Sequence, residues 1–83
     1  MKVNSRKIVV LVSGWVVVGD YTPFDTSIHL TNSSVIRRWG TEGGLGQLAL
    51  EGATAETVLE PCGSLMAPMA SVIMVIDVIA KGF

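Results

Sequence analysis

The residues best suited to chemistry lie in a glycine-rich stretch near the middle of the chain. Four of the seven residues from 40 to 46 are glycines, and Gly44, Gly46 and Ala49 have the G-x-G-x-x-A spacing of a dinucleotide-binding turn. Glycines let the backbone approach an anion, and a helix that follows offers unpaired N–H groups. A chain of 83 residues is too short for both halves of a dinucleotide-binding fold, and no P-loop lysine follows. The stretch therefore predicts either a local anion site or a turn that needs glycine for its backbone angles.

Two arginines, Arg37 and Arg38, directly precede this stretch and are two of only six basic residues. Arginine binds phosphate or carboxylate through paired hydrogen bonds, and a tryptophan such as Trp39 offers a face for stacking on a base. The alternative is that one arginine is solvated and the other pairs with Glu42 or Asp77. The candidate ligand site comprises Arg37, Arg38, Trp39, Thr41, Gly43, Gly44 and Gly46.

Elsewhere the sequence assembles no catalytic or metal site. His29 is the single histidine and has no second histidine or thiol cluster with which to bind a metal. The single cysteine, Cys62, lies between Pro61 and Gly63, which indicates a turn and not the start of a helix that activates a thiol. We therefore expect no enzyme activity, no metal and no cofactor.

Composition bears on partners and on the cellular compartment. Hydrophobic residues make up 49% of the chain and charged residues 16%. A domain of this size buries a comparatively small fraction of its surface, so this composition leaves apolar side chains exposed in a monomer. We therefore expect a single domain spanning residues 1–83 that forms a homo-oligomer. The net charge of −1 argues against extended nucleic acid as a partner, and an unpaired Cys62 favours a reducing cytoplasm.

Two apolar segments imitate membrane signals. Lys2, Arg6 and Lys7 precede an apolar run from 8 to 18, as in a signal peptide, but no small-x-small cleavage site follows. Ser13-Gly14 also interrupts that run. The segment from 71 to 79 is shorter than the roughly 20 residues of a spanning helix. We expect no membrane partner.

The hydrophobic patterns along the chain predict a mainly β protein. Two apolar runs, Ile8–Val12 and Trp15–Val18, flank a two-residue turn and predict a hairpin, with Trp15 expected in the core. The segment Ser27–Thr31 alternates, with Ile28 and Leu30 on one face and His29 on the other, which predicts a half-buried strand. A turn at 32–33 and a strand at 35–39 follow.

The second half predicts one short helix and three further strands. Apolar spacing indicates a helix from Leu45 or Gly46 to Glu51, with a stop at Gly52. A strand at 57–60 ends in a turn at 61–63, and an edge strand follows at 65–69. The last strand, Val72–Ile79, is apolar on both faces except at Asp77, so we place it centrally in the sheet or at a subunit interface. The expected fold is a small antiparallel sheet or barrel-like domain of six or seven short strands with one short helix.

Five segments in order carry a resemblance to known proteins. They are Lys7–Tyr21, Leu30-Thr31-Asn32, Val35–Trp39, the helical Gly44–Ala49 and Glu51-Gly52. These segments resemble an uncharacterised family of small bacteriophage and prophage proteins. In that family a strand ending in Leu-Thr-Asn leads to a strand bearing tryptophan. A Leu-x-Gln-Leu-Ala helix follows, and after it x-Glu-Gly. This chain departs from that pattern in its glycine-rich insert Gly40–Gly44. The resemblance implies a phage or mobile-element origin and no particular chemistry.

That origin leads to two hypotheses of different classes. Small phage proteins outside the virion often counter host defence, and several are compact oligomers that sequester nucleotide-derived signals. By this analogy, the first hypothesis is an oligomeric anti-defence protein that holds a small phosphorylated ligand, such as a cyclic nucleotide-derived signal, at the candidate site. The second is a structural or protein-interaction module, either a virion or a regulatory component, with no small ligand.

Overall fold

One antiparallel sheet of five strands forms the framework of the domain. A computed structural model describes residues 6–80 and 83, and Lys2 lies outside them. The strands are β1 (Arg6–Leu11), β2 (Val16–Pro23), β3 (Ser27–Arg38), β4 (Val58–Pro68) and β5 (Val72–Asp77). A helix, α1 (Gly44–Glu51), joins β3 to β4, and short 3-10 turns cover Val12–Gly14 and Met69–Ser71. The order across the sheet is β4-β3-β2-β1-β5. The predicted mainly β class and single helix are confirmed, whereas six or seven strands was a slight overcount.

The overcount arises in β3 and β4, each of which was predicted as two shorter strands. The strand β3 continues through Asn32, whose φ is 48°, and β4 continues through Gly63, whose φ is +72°. The register between these two strands shifts on either side of Ser33. An irregularity of this kind bends a strand without ending its pairing, so turn-type residues here do not separate strands.

The β1–β2 hairpin closes through a tight turn at its tip. Ser13 and Gly14 have φ values of 67° and 82°, and the Leu11 N–H donates to the Trp15 carbonyl at 2.7 Å. Beyond the turn, Val10 pairs with Val16, and the ladder continues to Arg6 and Asp20. The predicted hairpin is present, but β1 ends at Leu11 and not at Val12, and β2 begins at Val16 and not at Trp15.

Apolar side chains are buried on both faces of the sheet. On one face Ile8, Val18 and Ile36 pack with Leu48 and Ala49 of α1. The second cluster comprises Val9, Val17, Ile28, Leu30 and Ala67. This face is enclosed because β4 and β5, at opposite edges of the sheet, are joined by only three residues. The sheet therefore curls toward itself where β4 ends and β5 begins, although β4 and β5 do not pair with each other along their described residues.

The segment after β5 completes the helical face. The N–H groups of Ile79 and Ala80 both donate to the Ala49 carbonyl of α1, at 3.0 and 3.1 Å, and Val78 and Phe83 are buried. The last strand accordingly ends at Asp77 and not at Ile79. Among residues 6–80 and 83, no helix is both long and apolar enough to cross a bilayer.

The position of β5 corrects one prediction. It pairs with β1 and forms an edge of the sheet, so its placement at the centre was wrong. A strand that is apolar on both faces usually has neighbours on both sides. The subunit-interface alternative stays a prediction.

Candidate functional site

The predicted site residues lie together where β3 leads into α1. Arg37 and Arg38 end β3, Trp39 follows, and Thr41 and Gly43 lie in the connecting loop. Gly44 and Gly46 form the first turn of α1. Their arrangement can therefore be compared directly with what an anion site requires.

Both arginines are already paired with carboxylates of the chain. Arg37 donates to Glu60 Oε1 from Nε at 2.8 Å and lies 2.7 Å from it at Nη2. Arg38 Nη2 lies 3.7 Å from Glu56 Oε1, and all four side chains are more than half exposed. The partners are thus neither of the two carboxylates that the sequence suggested, since Asp77 pairs with Lys7. Exposed pairs of this kind are worth about 0–1 kcal/mol, so another acceptor can displace them.

Two of the loop's hydrogen-bond donors are also occupied. The Thr41 hydroxyl donates to the Gly44 carbonyl at 2.6 Å, which closes the loop on itself. The Gly43 N–H donates to Gln47 Oε1 at 2.7 Å, so a side chain of α1 satisfies this amide at the helix start. An anion would have to compete with both contacts.

Packing explains why this loop needs glycine. Gly40 has a φ of +72°, and a Cβ there would lie 2.4 Å from backbone atoms of Glu56 and Thr57. Thr57 Oγ1 donates to the Trp39 carbonyl at 2.7 Å, and Thr54 Oγ1 donates to the Gly40 carbonyl at 2.7 Å. These contacts join the loop before α1 to the segment before β4. Close backbone packing therefore requires a glycine at position 40.

An exposed tryptophan that sequence reasoning missed lies at the same end of the sheet. Trp15 is 50% exposed and Trp39 43% exposed. Because Val17 pairs with Val35, the start of β2 and the end of β3 lie at one end of the sheet. Placing Trp15 in the core was wrong, since it lies where the hairpin turn ends and half of its surface is exposed. The signal available was its position directly after Ser13-Gly14. We call Trp15, Arg37, Arg38 and Trp39 the Trp–Arg end.

Cys62 and His29 lie apart along neighbouring strands. Cys62 is exposed, and its Sγ lies 3.3 Å from the hydroxyl of the buried Ser33. His29 pairs with Met66 in β4, four residues from Cys62, which corresponds to about 13 Å along a strand. The His29 ring instead packs on Phe24, with centroids 4.2 Å apart. No group of His, Cys, Asp or Glu among the described residues could hold a metal ion.

Comparisons with known proteins give no family assignment. A scan against protein-family models finds no match, and neither does a search of curated proteins. The resemblance to small phage proteins stays a prediction. Function is therefore argued from this chain's own surface.

Proposed function

We propose that this chain is a non-catalytic accessory protein that acts by binding another protein at its Trp–Arg end. The observation that carries the proposal is that two half-exposed tryptophans and two exposed arginines lie at the same end of the sheet. Tryptophan and arginine dominate the binding energy at the centres of protein interfaces. Glu56 and Glu60 would lie at the polar rim of such a contact.

Binding would work through burial and through exchange of ion pairs. Each tryptophan offers a large apolar face whose removal from water is favourable, and its two side-chain torsions lose little entropy. The guanidinium groups of Arg37 and Arg38 would turn from their weak internal pairs to acceptors on the partner. In this proposal the protein is of phage or mobile-element origin and acts in the host cytoplasm as a regulatory or virion component.

Photo-crosslinking followed by titration tests this proposal. A benzophenone amino acid at Trp15 is compared in cells with one at Leu50, which is also more exposed than buried but lies on the outer side of α1. The captured protein is identified, purified and titrated against wild type, Trp15→Ala and Leu50→Ala. We expect Trp15→Ala to weaken binding by about 2 kcal/mol, roughly thirtyfold, and Leu50→Ala to change little. Equal affinities for the two variants would contradict the proposal.

A second candidate function uses the same end to sequester a small phosphorylated ligand, such as a cyclic nucleotide-derived signal. The observation that favours it is that two half-exposed tryptophans, suited to base stacking, lie at the same end of the sheet as guanidinium groups in exposed ion pairs. Thr41 and the amides of Gly43, Gly44 and Gly46 would complete the site. The ligand would be held without chemical change.

The glutamates provide a sharp test of this second candidate. In the double variant Glu56→Gln and Glu60→Gln, both arginines lose their carboxylate partners, so affinity for a cyclic dinucleotide panel should rise several-fold. Arg37→Ala and Arg38→Ala should lower that affinity about tenfold to a hundredfold. Isothermal titration calorimetry measures both effects. If neither wild type nor the double variant binds any member of the panel, the candidate fails.

A further inference from the structure

The two edges of the sheet are built differently. The strand β4 carries Glu60, Pro61 and Pro68, and charges and prolines are the residues that normally protect an edge from pairing with another strand. The strand β5 has neither between Val72 and Ile76. Its irregularity lies at Ile73, where the pairing with β1 shifts. The β5 edge is thus apolar and open to another strand, as far as the described residues extend.

Three consecutive apolar side chains of β5 are exposed. Ile73 is 59% exposed and Met74 49%, and Val75 is also exposed. Met74 and Val75 project to opposite faces of the sheet. Met74 pairs with Val10 and Val75 pairs with Val9, and successive residues of a strand face opposite sides. An apolar edge of this kind is an aggregation hazard unless something covers it.

We propose that a second copy of this chain covers this edge, with the two β5 strands pairing antiparallel about a twofold axis at Met74. The proposal does not depend on the Trp–Arg end. Three features of the chain select a second copy as the occupant: the direction of the free backbone groups, the self-complementary pattern of β5, and a net charge of only −1.

The free backbone groups follow from the β1–β5 ladder. The Val78 N–H donates to the Arg6 carbonyl at 3.1 Å. Because bonding alternates along an antiparallel pair, Ile76 and Met74 also point their backbone groups toward β1. Val75 and Asp77 therefore point theirs toward the open edge. A second strand lying along this edge can hydrogen-bond to these two residues.

The side-chain pattern then selects one register. With Met74 opposite its counterpart, Val75 faces Ile73 of the second copy, and Ile76 faces Val72. Asp77 is level with Ser71, which belongs to the 3-10 turn and not to β5, so each carboxylate lies beyond the paired strands. Shifting the register by two residues in one direction would place Asp77 opposite Ile73. Centring on Met74 is the register that joins apolar to apolar along the whole strand, as a twofold interface requires.

The size of the contact predicts its strength. One pair of six-residue strands buries less than the roughly 800 Å² per partner of a standard interface. The net charge of −1 per copy adds little repulsion. We therefore expect a dimer that dissociates on dilution, with a dissociation constant in the micromolar range.

Sedimentation velocity of the full chain from about 1 to about 500 µM tests the pairing. Wild type should shift from 8.8 kDa toward twice that mass. Met74→Lys should remain monomeric, because a charge at the axis faces its own copy. The matched control is Met66→Lys, which alters a 66% exposed methionine on the β4 edge and should dimerise like wild type. A monomeric wild type throughout, or a Met74→Lys variant that dimerises equally, would overturn the proposal.

A disulfide experiment tests the register and keeps the proposal falsifiable if Met74→Lys fails to fold. In a Cys62→Ser background, Met74→Cys should form a covalent dimer on oxidation, because facing side chains of such a pair have Cβ atoms about 4.5–5.5 Å apart. Met66→Cys in the same background should not. If Met74→Cys crosslinks no better than Met66→Cys, the proposed register is wrong. If wild type does not dimerise but a protein is still captured at Trp15, only the self-pairing is contradicted. If wild type dimerises but no protein is captured at Trp15, only the proposed function is contradicted.

Discussion

Gly40 is the single residue on which the geometry of the loop before α1 depends most. Replacing it with alanine would force a side chain into a left-handed conformation and against the backbone of Glu56 and Thr57. Left-handed strain alone costs about 1–2 kcal/mol, and the close contact adds to it. We expect Gly40→Ala to lower the free energy of unfolding by about 2–4 kcal/mol, measured by urea denaturation.

Alanine substitutions at two other glycines distinguish the cost of backbone strain from the cost of close packing. Gly63 has a φ of +72° but open space around its Cβ position, so Gly63→Ala should lose only about 1–2 kcal/mol. Gly46 is helical and also has open space, so alanine should stabilise α1 by up to about 1 kcal/mol. A Gly40→Ala variant no less stable than Gly63→Ala would show that the loops before α1 and β4 can separate at little cost.

Cys62 and His29 are predicted to have no catalytic part. The strand register separates them, and the Cys62 thiol lies beside the Ser33 hydroxyl. Cys62→Ser and His29→Ala should leave partner binding within a few-fold of wild type, and candidate nucleotides should be returned unchanged. Chromatography of nucleotides after incubation checks this. Turnover by wild type that either substitution abolishes would contradict the non-enzyme interpretation.

At the residue scale, sequence predicts which side chains are neighbours along the chain but not which are neighbours in space. Arg37 to Trp39 and the glycines lie close together because they follow one another along the end of β3 and the loop. The Arg37–Glu60 pair joins residues 23 positions apart and depends on the β3–β4 register. No local pattern contains that register, which is why Glu42 was suggested as a partner instead.

At the scale of elements, periodicity identified strands but not their lengths or neighbours. Asn32 and Gly63 have turn-like composition, yet both lie inside bent strands, because pairing with an adjacent strand continues past them. Similarly, the apolar run of β5 indicated burial on two sides, and its edge position depends on the order of all five strands. Apolar composition cannot distinguish a strand buried within the domain from one that another chain would cover.

The helix α1 offers a prediction about the face it covers. Leu48 is fully buried against the sheet, whereas Leu50 points away from it and is exposed. Leu48→Ala should therefore lower the free energy of unfolding by about 2–5 kcal/mol. Leu50→Ala should change it by less than about 0.5 kcal/mol. Similar losses in the two variants, measured by chemical denaturation, would contradict the packing of α1 on Ile8 and Val18.

At the scale of the whole molecule, stability should depend on protein concentration. Pairing through β5 favours the folded chain by mass action, so the melting temperature of wild type should rise as concentration increases. The melting temperature of Met74→Lys should not change with concentration. Scanning calorimetry over about a hundredfold concentration range checks this. If the melting temperature of wild type does not change with protein concentration, the monomer alone accounts for the measured stability.

The two-sided burial of the central hairpin has a consequence for how the chain finds its alignment. Ile8 and Val9, like Val17 and Val18, are neighbours in sequence buried on opposite faces. In most sheets, shifting the pairing register of a strand by one residue turns its buried apolar side chains toward water, so the shifted pairing is unfavourable. Here a slip exchanges one valine or isoleucine for another, so the hydrophobic pattern barely opposes it. Alignment then depends on the backbone angles of Ser13 and Gly14, and inserting one residue there should produce competing folded forms, visible as doubled amide resonances.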